Sequence, residues 1–293
     1  MFLSLPQHKC ATQQKPHIYS TPGSKKITSL LKDFLHKPTG INLLYIYFMV
    51  TIALYNLKGG VGKTAAAVNL AYLAAADGLK TLVWDLDPQG STSFYFNVKA
   101  DVKNESRKLL KGELPAKDAV QDSVFENLWV IPADLSARDV DIALDDLKQS
   151  RKKLKTVLGG LKQFDLVVLD SPPGISLLHE NVFNAADWIL MPNIPTTLSI
   201  RSFETVMNYL KDNDLDTSIV KCFFSMVDHR KNLHHEVMQE FYKDKLFFKN
   251  YIPYLSDVEK MGTHQQPVFE FANSSYAAQC YRDLWHEIKK TCL

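Results

Sequence analysis

The sequence predicts an α/β fold: a doubly wound, mostly parallel sheet flanked by helices. Three observations carry this. A β-prone segment, Thr51 to Tyr55, runs into a glycine-rich turn and then an alanine-rich, helix-prone run from Ala65 to Ala76. Within Phe164 to Asp170, a continuous apolar run from Leu166 to Leu169 ends in Asp170, as expected of a central strand buried on both faces. Elsewhere short apolar runs alternate with segments of helical length, the pattern of right-handed strand–helix–strand units.

Taken in order, residues 1–40 are polar, carry Pro6, Pro16, Pro22 and Pro38, and show little periodicity. They read as a disordered or weakly ordered extension. Ile41 to Tyr55 is uncharged and apolar but too short to span a membrane, and its second half is the first strand. Met49 stands just before that strand. Residues 1–48 are therefore expected to be an upstream extension or a misassigned start, and 49–293 the folded domain. The basic, acid-poor N-terminus has a transit-peptide flavour but contains no arginine. Further strands are expected at Lys80–Asp85, Leu128–Ile131, Phe164–Asp170, Asp187–Met191 and Ile219–Met226. Helices are expected over Ser136–Gln149 and near 199–212, 232–246 and 274–290.

Composition is that of a soluble globular domain, 46% apolar and 23% charged. Cys10, Cys222, Cys280 and Cys292 have no metal-binding spacing, which argues against a zinc or iron–sulfur site and suits a reducing compartment. The net charge of +2 hides an asymmetry. Residues 1–48 hold six lysines and one acid, so residues 49–293 carry three more acids than bases. Nucleic-acid binding by that domain would need a local basic patch. Residues 221–250 supply a modest one, six Lys/Arg against four acids; a solvated helix face reads almost the same.

Asn56-Leu57-Lys58-Gly59-Gly60-Val61-Gly62-Lys63-Thr64 is the stretch that carries chemistry. Between a strand and a helix, its glycines let backbone N–H groups close around a phosphate, and the helix N-terminus adds partial positive charge. Lys63 would reach the β- and γ-phosphates, and the Thr64 hydroxyl would bind Mg²⁺. The general pattern wants Gly at position 57; here glycine has moved in to Gly59, and a second lysine, Lys58, opens the loop. Two carboxylate motifs follow at strand ends: Asp85-Leu86-Asp87-Pro88-Gln89-Gly90, and Asp170-Ser171-Pro172-Pro173-Gly174. The carboxylate of Asp170 would hold Mg²⁺ through water.

With these motifs the chain resembles the ParA/MinD family of dimeric ATPases, the ParA/Soj branch most closely, over roughly residues 49–290. The K-G-G-x-G-K-[ST] loop is the deviant Walker A pattern. The resemblance implies a P-loop NTPase fold with ATP and Mg²⁺ as cofactors. Gly59, Gly60, Val61, Gly62, Lys63, Thr64 and Ala65 would form the nucleotide loop, and Asp228 and Pro253 would flank the adenine. It implies that Asp87 positions the attacking water and that Asp85, with Thr64 and Asp170, supports the metal. Lys58 would reach phosphates held by the other subunit of an ATP-closed homodimer. The second switch, Ser171 to Gly174, would sense the γ-phosphate.

Arg230 and the neighbouring Lys231 would belong to a surface binding DNA nonspecifically. A ParB-like centromere-binding protein would stimulate hydrolysis, and the protein would be cytoplasmic and nucleoid-associated. Two departures stand out. Ala65 replaces a threonine whose hydroxyl would bond the α-phosphate, and Ser91-Thr92-Ser93-Phe94 differs from the family's stretch after the first switch. Among relatives, the ligand cysteines of nitrogenase iron protein and the terminal tyrosine cluster of bacterial tyrosine kinases have no counterpart. The end of the chain, with Trp285 and Ile288 at core-like spacing, reads as a packed helix and not as MinD's membrane helix. The reading is thus a DNA-partitioning ATPase, with an ATP-gated positioning scaffold for another cargo as the alternative.

Overall fold

The sheet is built outward from β1 (Val50–Leu54), in which Thr51 to Leu54 are buried. The structure, a computed structural model, describes residues 49–293 apart from 102–104, 135, 137, 139 and 146. The expectation for residues 1–48 lies outside the described residues. After β1 come α1 (Lys63–Ala76), β2 (Thr81–Asp85), α2 (Ser91–Tyr95), α3 (Glu105–Lys111), β3 (Gln121–Asp122) and β4 (Leu128–Ile131). Then follow α4 (Val140–Asp145), α5 (Lys153–Leu158), β5 (Leu166–Asp170), α6 (Leu177–Ala185), β6 (Trp188–Asn193) and α7 (Thr197–Asp212). The chain closes with β7 (Val220–Phe224), α8 (Asn232–Phe241), α9 (Ser256–His264), α10 (Val268–Ala272) and α11 (Tyr276–Cys292).

The seven described strands lie in the order β3-β4-β2-β5-β1-β6-β7, parallel throughout except for the short β3. β1 sits between β5 and β6, so the strand order reverses around it. Ligands in open α/β sheets bind at such a switch point, beyond the carboxyl ends of the strands.

Alternation along each strand feeds two cores. Ala53, Leu82, Trp84, Val167, Leu169, Ile189 and Met191 point to the face covered by α3 to α8. Ile52, Leu54, Val83, Val130, Val168 and Leu190 point to the face covered by α1 and α9 to α11. Both faces are covered, which is why the strands read as continuous apolar runs. Alanines let α1 lie close on the sheet: Ala66, Ala67, Ala71 and Ala74 are at most 1% exposed. α11 packs beside α1, with Leu284, Trp285 and Ile288 buried. The Trp285 indole N–H and Lys289 both donate to Asp77, at 2.8 and 2.5 Å, offsetting an acid placed at the negative end of α1.

Three expected elements end early. The helix expected over 136–149 is shorter, Val140–Asp145, and Gln149 takes a left-handed φ of 56° that ends any helical continuation. The strand expected to reach Met226 stops at Phe224, because Met226 turns at φ 52°. The helix expected to reach 246 stops at Phe241, since Asp244 Oδ1 accepts the Leu246 N–H and the chain then pairs with β7 at Cys222 and Phe247.

Candidate functional site

The glycine-rich loop joins β1 to α1, and neighbouring strand ends brace it. Asn56 is completely buried; its Nδ2 donates to the Pro192 carbonyl at 2.8 Å, and its Oδ1 accepts the Lys58 N–H at 2.9 Å. Ser225, just past β7, donates to the Val61 carbonyl at 2.7 Å. Gly62 caps α1 with φ 88°, a conformation that L side chains rarely adopt. These contacts hold the loop open toward the carboxyl edge of the sheet.

Lys63 is 7% exposed and donates to the Lys58 carbonyl at 3.0 Å. Burial lowers its pKa, and the charges of Asp170 and Asp87 work against that. Both carboxylates therefore act on the same ammonium group. Lys58 sits differently: its Nζ donates to the Leu198 carbonyl, at 2.6 Å, in the first turn of α7. In the single chain the second lysine is thus seated on its own subunit.

Asp85 and Asp170 are in direct register at the ends of β2 and β5. They are 0% and 1% exposed. Burial pushes both carboxyls upward; each also feels another carboxylate, Asp170 acting on Asp85 and Asp87 on Asp170. Thr92 donates to Asp170 Oδ2 at 2.7 Å, and the Thr64 hydroxyl also favours the ionised form. Asp170 Oδ1 is buried without a hydrogen-bond partner among the described residues. Asp85 Oδ2 accepts both the N–H and the hydroxyl of Ser93, at 2.8 and 2.7 Å, and Oδ1 accepts the Asp87 N–H at 3.2 Å.

Adjacent buried carboxylates with one oxygen unpartnered fit a hard divalent cation. Among the described residues no cluster of three or more His, Cys, Asp or Glu forms a closed cage. Such an ion would thus take most ligands from phosphate and water, the habit of Mg²⁺. Thr64 and Asp170 could hold it, and Asp85 has its oxygens committed to shaping the loop. Asp87 is half-buried, its Oδ1 accepting the Gln89 N–H at 2.9 Å.

A cavity of about 220 Å³ opens beside the loop, lined among others by Gly60, Gly62, Ala65, Met226, Pro253 and Tyr254. It is mostly apolar and suits a flat base. Pro253 lines it. Asp228 is not among its described lining residues; its carboxylate instead takes both the Nε and an Nη of Arg230 at 2.9 Å. That pair holds the Asp228 carboxyl well below the usual range. Arg230 and Lys231 are exposed at the turn before α8, Arg230 with part of its charge offset by Asp228.

The sequence assigned no role to Thr92, Ser93, Asn56 or Ser225. Thr92 and Ser93 were legible only as a departure from a pattern. The available signal was three small hydroxyl residues, Ser91, Thr92 and Ser93, directly after Gly90 and beside two strand-ending carboxylates.

This fold and loop define a P-loop nucleotide-binding protein with two lysines in the loop. The family model described as AAA domain (AAA_31) matches residues 49–219, more than half of the chain. The chain is 30% identical over 246 residues to the sporulation initiation inhibitor protein Soj of Bacillus subtilis (strain 168), covering 81% of this chain and 97% of that protein. It is 32% identical over 239 residues to the chromosome-partitioning ATPase Soj of Treponema pallidum, covering 78% and 91%. In structure it is similar to a plasmid partition protein of Borrelia burgdorferi B31 bound to AMPPNP, with a TM-score of 0.73 at 20% identity over 82% of this chain and 98% of that one. The chain belongs to the ParA/Soj family of deviant Walker A ATPases. Among the described residues no helix is long and apolar enough to cross a membrane.

Proposed function

We propose that this chain is a DNA-partitioning ATPase that closes into a homodimer around Mg·ATP, binds DNA nonspecifically and hydrolyses ATP when a partner stimulates it. The observation that carries the reading is the pair of buried carboxylates, Asp85 and Asp170, set beside Lys63 under a loop that also bears Lys58. The reaction is phosphoryl transfer to water. Mg²⁺, when bound, neutralises charge on the β- and γ-phosphates. The loop N–H groups and Lys63 stabilise negative charge developing on the phosphoryl oxygens. Thr64 and Asp170 hold the metal, Asp85 and Thr92 fix the geometry of the loop and of Asp170, and Asp87 orients the attacking water. Pro253 and Ala65 take the base. A ParB-like partner, arbitrary DNA as substrate surface and a nucleoid-associated cytoplasmic location follow from the same reading.

Lys58 is the part that makes the reading specific. Lys63 already serves the loop of its own subunit, so a second cation there is redundant unless it leaves the Leu198 carbonyl for phosphates held by a second copy. Light scattering with and without ATP tests this. Wild type should dimerise with ATP; Lys58→Ala should bind ATP, stay monomeric and lose hydrolysis and DNA binding. An ATP-dependent dimer in Lys58→Ala with near-normal turnover would sink the trans-acting role.

Two observations favour a second reading, an ATP-gated scaffold for a non-DNA cargo. Residues 49–293 carry an acidic excess, and Arg230 is paired with Asp228. ATP-dependent binding to arbitrary DNA separates the two.

A further inference from the structure

The loop from Ser171 to Ser176 connects β5 to α6 and lies against the nucleotide loop: a Cβ on Gly59 would meet Pro173 Cγ at 3.9 Å. Its backbone has few donors to offer. Pro172 and Pro173 have no N–H. The Ser171 N–H goes to the Leu54 carbonyl at 3.3 Å, and the Ser171 hydroxyl to the same oxygen at 2.6 Å. Between Ser171 and Gly174, that leaves the Gly174 N–H as the donor to present to an anion.

The peptide bearing that N–H lies between two held carbonyls. On one side, His179 Nε2 is 3.0 Å from the Pro172 carbonyl. A carbonyl only accepts, so Nε2 carries the proton, and Nδ1 accepts from the Ser176 hydroxyl at 2.9 Å. On the other side, the Tyr55 hydroxyl donates to the Gly174 carbonyl at 2.9 Å. Both side chains are fixed by packing. Tyr55 is 0% exposed, edge-on to Phe183 at 4.8 Å and tilted against His179 at 5.4 Å; His179 is 3% exposed. Burial keeps the phenol protonated and favours the neutral imidazole. Gly174 itself has φ 116°, which other residues rarely adopt, although a Cβ there would have room. The backbone at this point is held in a chosen conformation; crowding does not force it.

We propose that Tyr55 and His179 are positioning residues that fix the peptides flanking Pro173–Gly174 and so aim the Gly174 N–H at the phosphoryl group being transferred. The inference rests on the ATPase reading above. Neither residue belongs to the loop motifs; each reaches the switch from beneath, Tyr55 from the end of β1 and His179 from the first turn of α6.

Steady-state hydrolysis and ATPγS binding by calorimetry on the full chain, with melting temperatures, test this. Tyr55→Phe keeps the ring and removes the hydroxyl. His179→Leu removes the donor, and His179→Gln returns an N–H near the Nε2 position. Tyr55→Phe and His179→Leu should each lower kcat roughly three- to tenfold, the rate equivalent of one modest hydrogen bond, with nucleotide affinity within twofold of wild type. His179→Gln should recover most of the loss. Unchanged kcat in Tyr55→Phe, a loss that appears in affinity instead of kcat, or a His179→Gln variant no faster than His179→Leu would each overturn the positioning role. Should His179→Leu fail to fold, Tyr55→Phe and the comparison of His179→Gln with wild type decide it. A wild-type chain that binds ATPγS but never hydrolyses ATP would instead overturn the ATPase reading, and the positioning role with it.

Discussion

Asp87 is the acid at this site with no buried partner to shape, and that freedom suits it to water. Asp85 spends both oxygens on Ser93 and on the Asp87 N–H, and Asp170 accepts from Thr92. Asp87→Ala should therefore lower kcat by about 100-fold or more while ATP affinity stays within threefold. Normal turnover in that variant would move the catalytic role elsewhere. The buried pair makes a separate prediction about stability. Asp85 is pushed up to about 7 and Asp170 to about 6, each mainly by burial. Their carboxyls hold protons more tightly folded than unfolded, so folding takes up protons above about pH 4. The pair's contribution to stability is fully present below about pH 4 and is lost as pH rises from there through the folded values of about 6 and 7. The nucleotide-free protein should melt lower at pH 8 than at pH 6 from this source. Asp170→Asn should flatten that difference, gaining roughly 2–4 °C at pH 8 for each kcal/mol recovered, and should lose hydrolysis. Scanning calorimetry at both pH values checks it, and a steeper pH dependence in Asp170→Asn contradicts it.

At the scale of elements, the central strands were legible because burial on both faces leaves an unbroken apolar run, as in Leu166 to Leu169. The loop and the two strand-ending acids were legible because phosphate and metal chemistry tolerates few residue types. Other features were not. α6 carries the buried polar residues His179 and Asn181, whose partners lie in the loops at Pro172 and Ser150, so its apolar pattern is broken by long-range hydrogen bonds. Thr92 looks like any short-helix residue until β5 places Asp170 against it. α11 shows the opposite case, a helix read correctly from spacing: Trp285 is 3% exposed and tied to Asp77 at the end of α1. Trp285→Ala should cost about 3–5 kcal/mol in urea unfolding. A loss under about 1 kcal/mol would mean that α11 does not pack as core.

At the scale of the whole molecule, the proposed DNA binding would fall to a domain with an acidic excess, so attraction would have to come from one face. Arg230 and Lys231 at the start of α8 are exposed, and Lys221, Lys243, Lys245 and Lys249 lie in the same stretch of chain. Arg230 has an acid within its reach, so part of its charge is already spent. The proposed ATP-driven pairing of two copies would double that face, so a weak patch on one chain would serve once nucleotide is bound. The measurement that tests the account most directly is binding of the full chain to a DNA duplex of arbitrary sequence, with ATP, with ADP and without nucleotide, across a salt series. The account predicts binding with ATP alone, independent of sequence, falling linearly in log affinity against log salt, and weakened in Arg230→Ala without a change in ATP affinity. Binding equal in all three nucleotide states, or an affinity that barely changes between low and moderate salt, would contradict it.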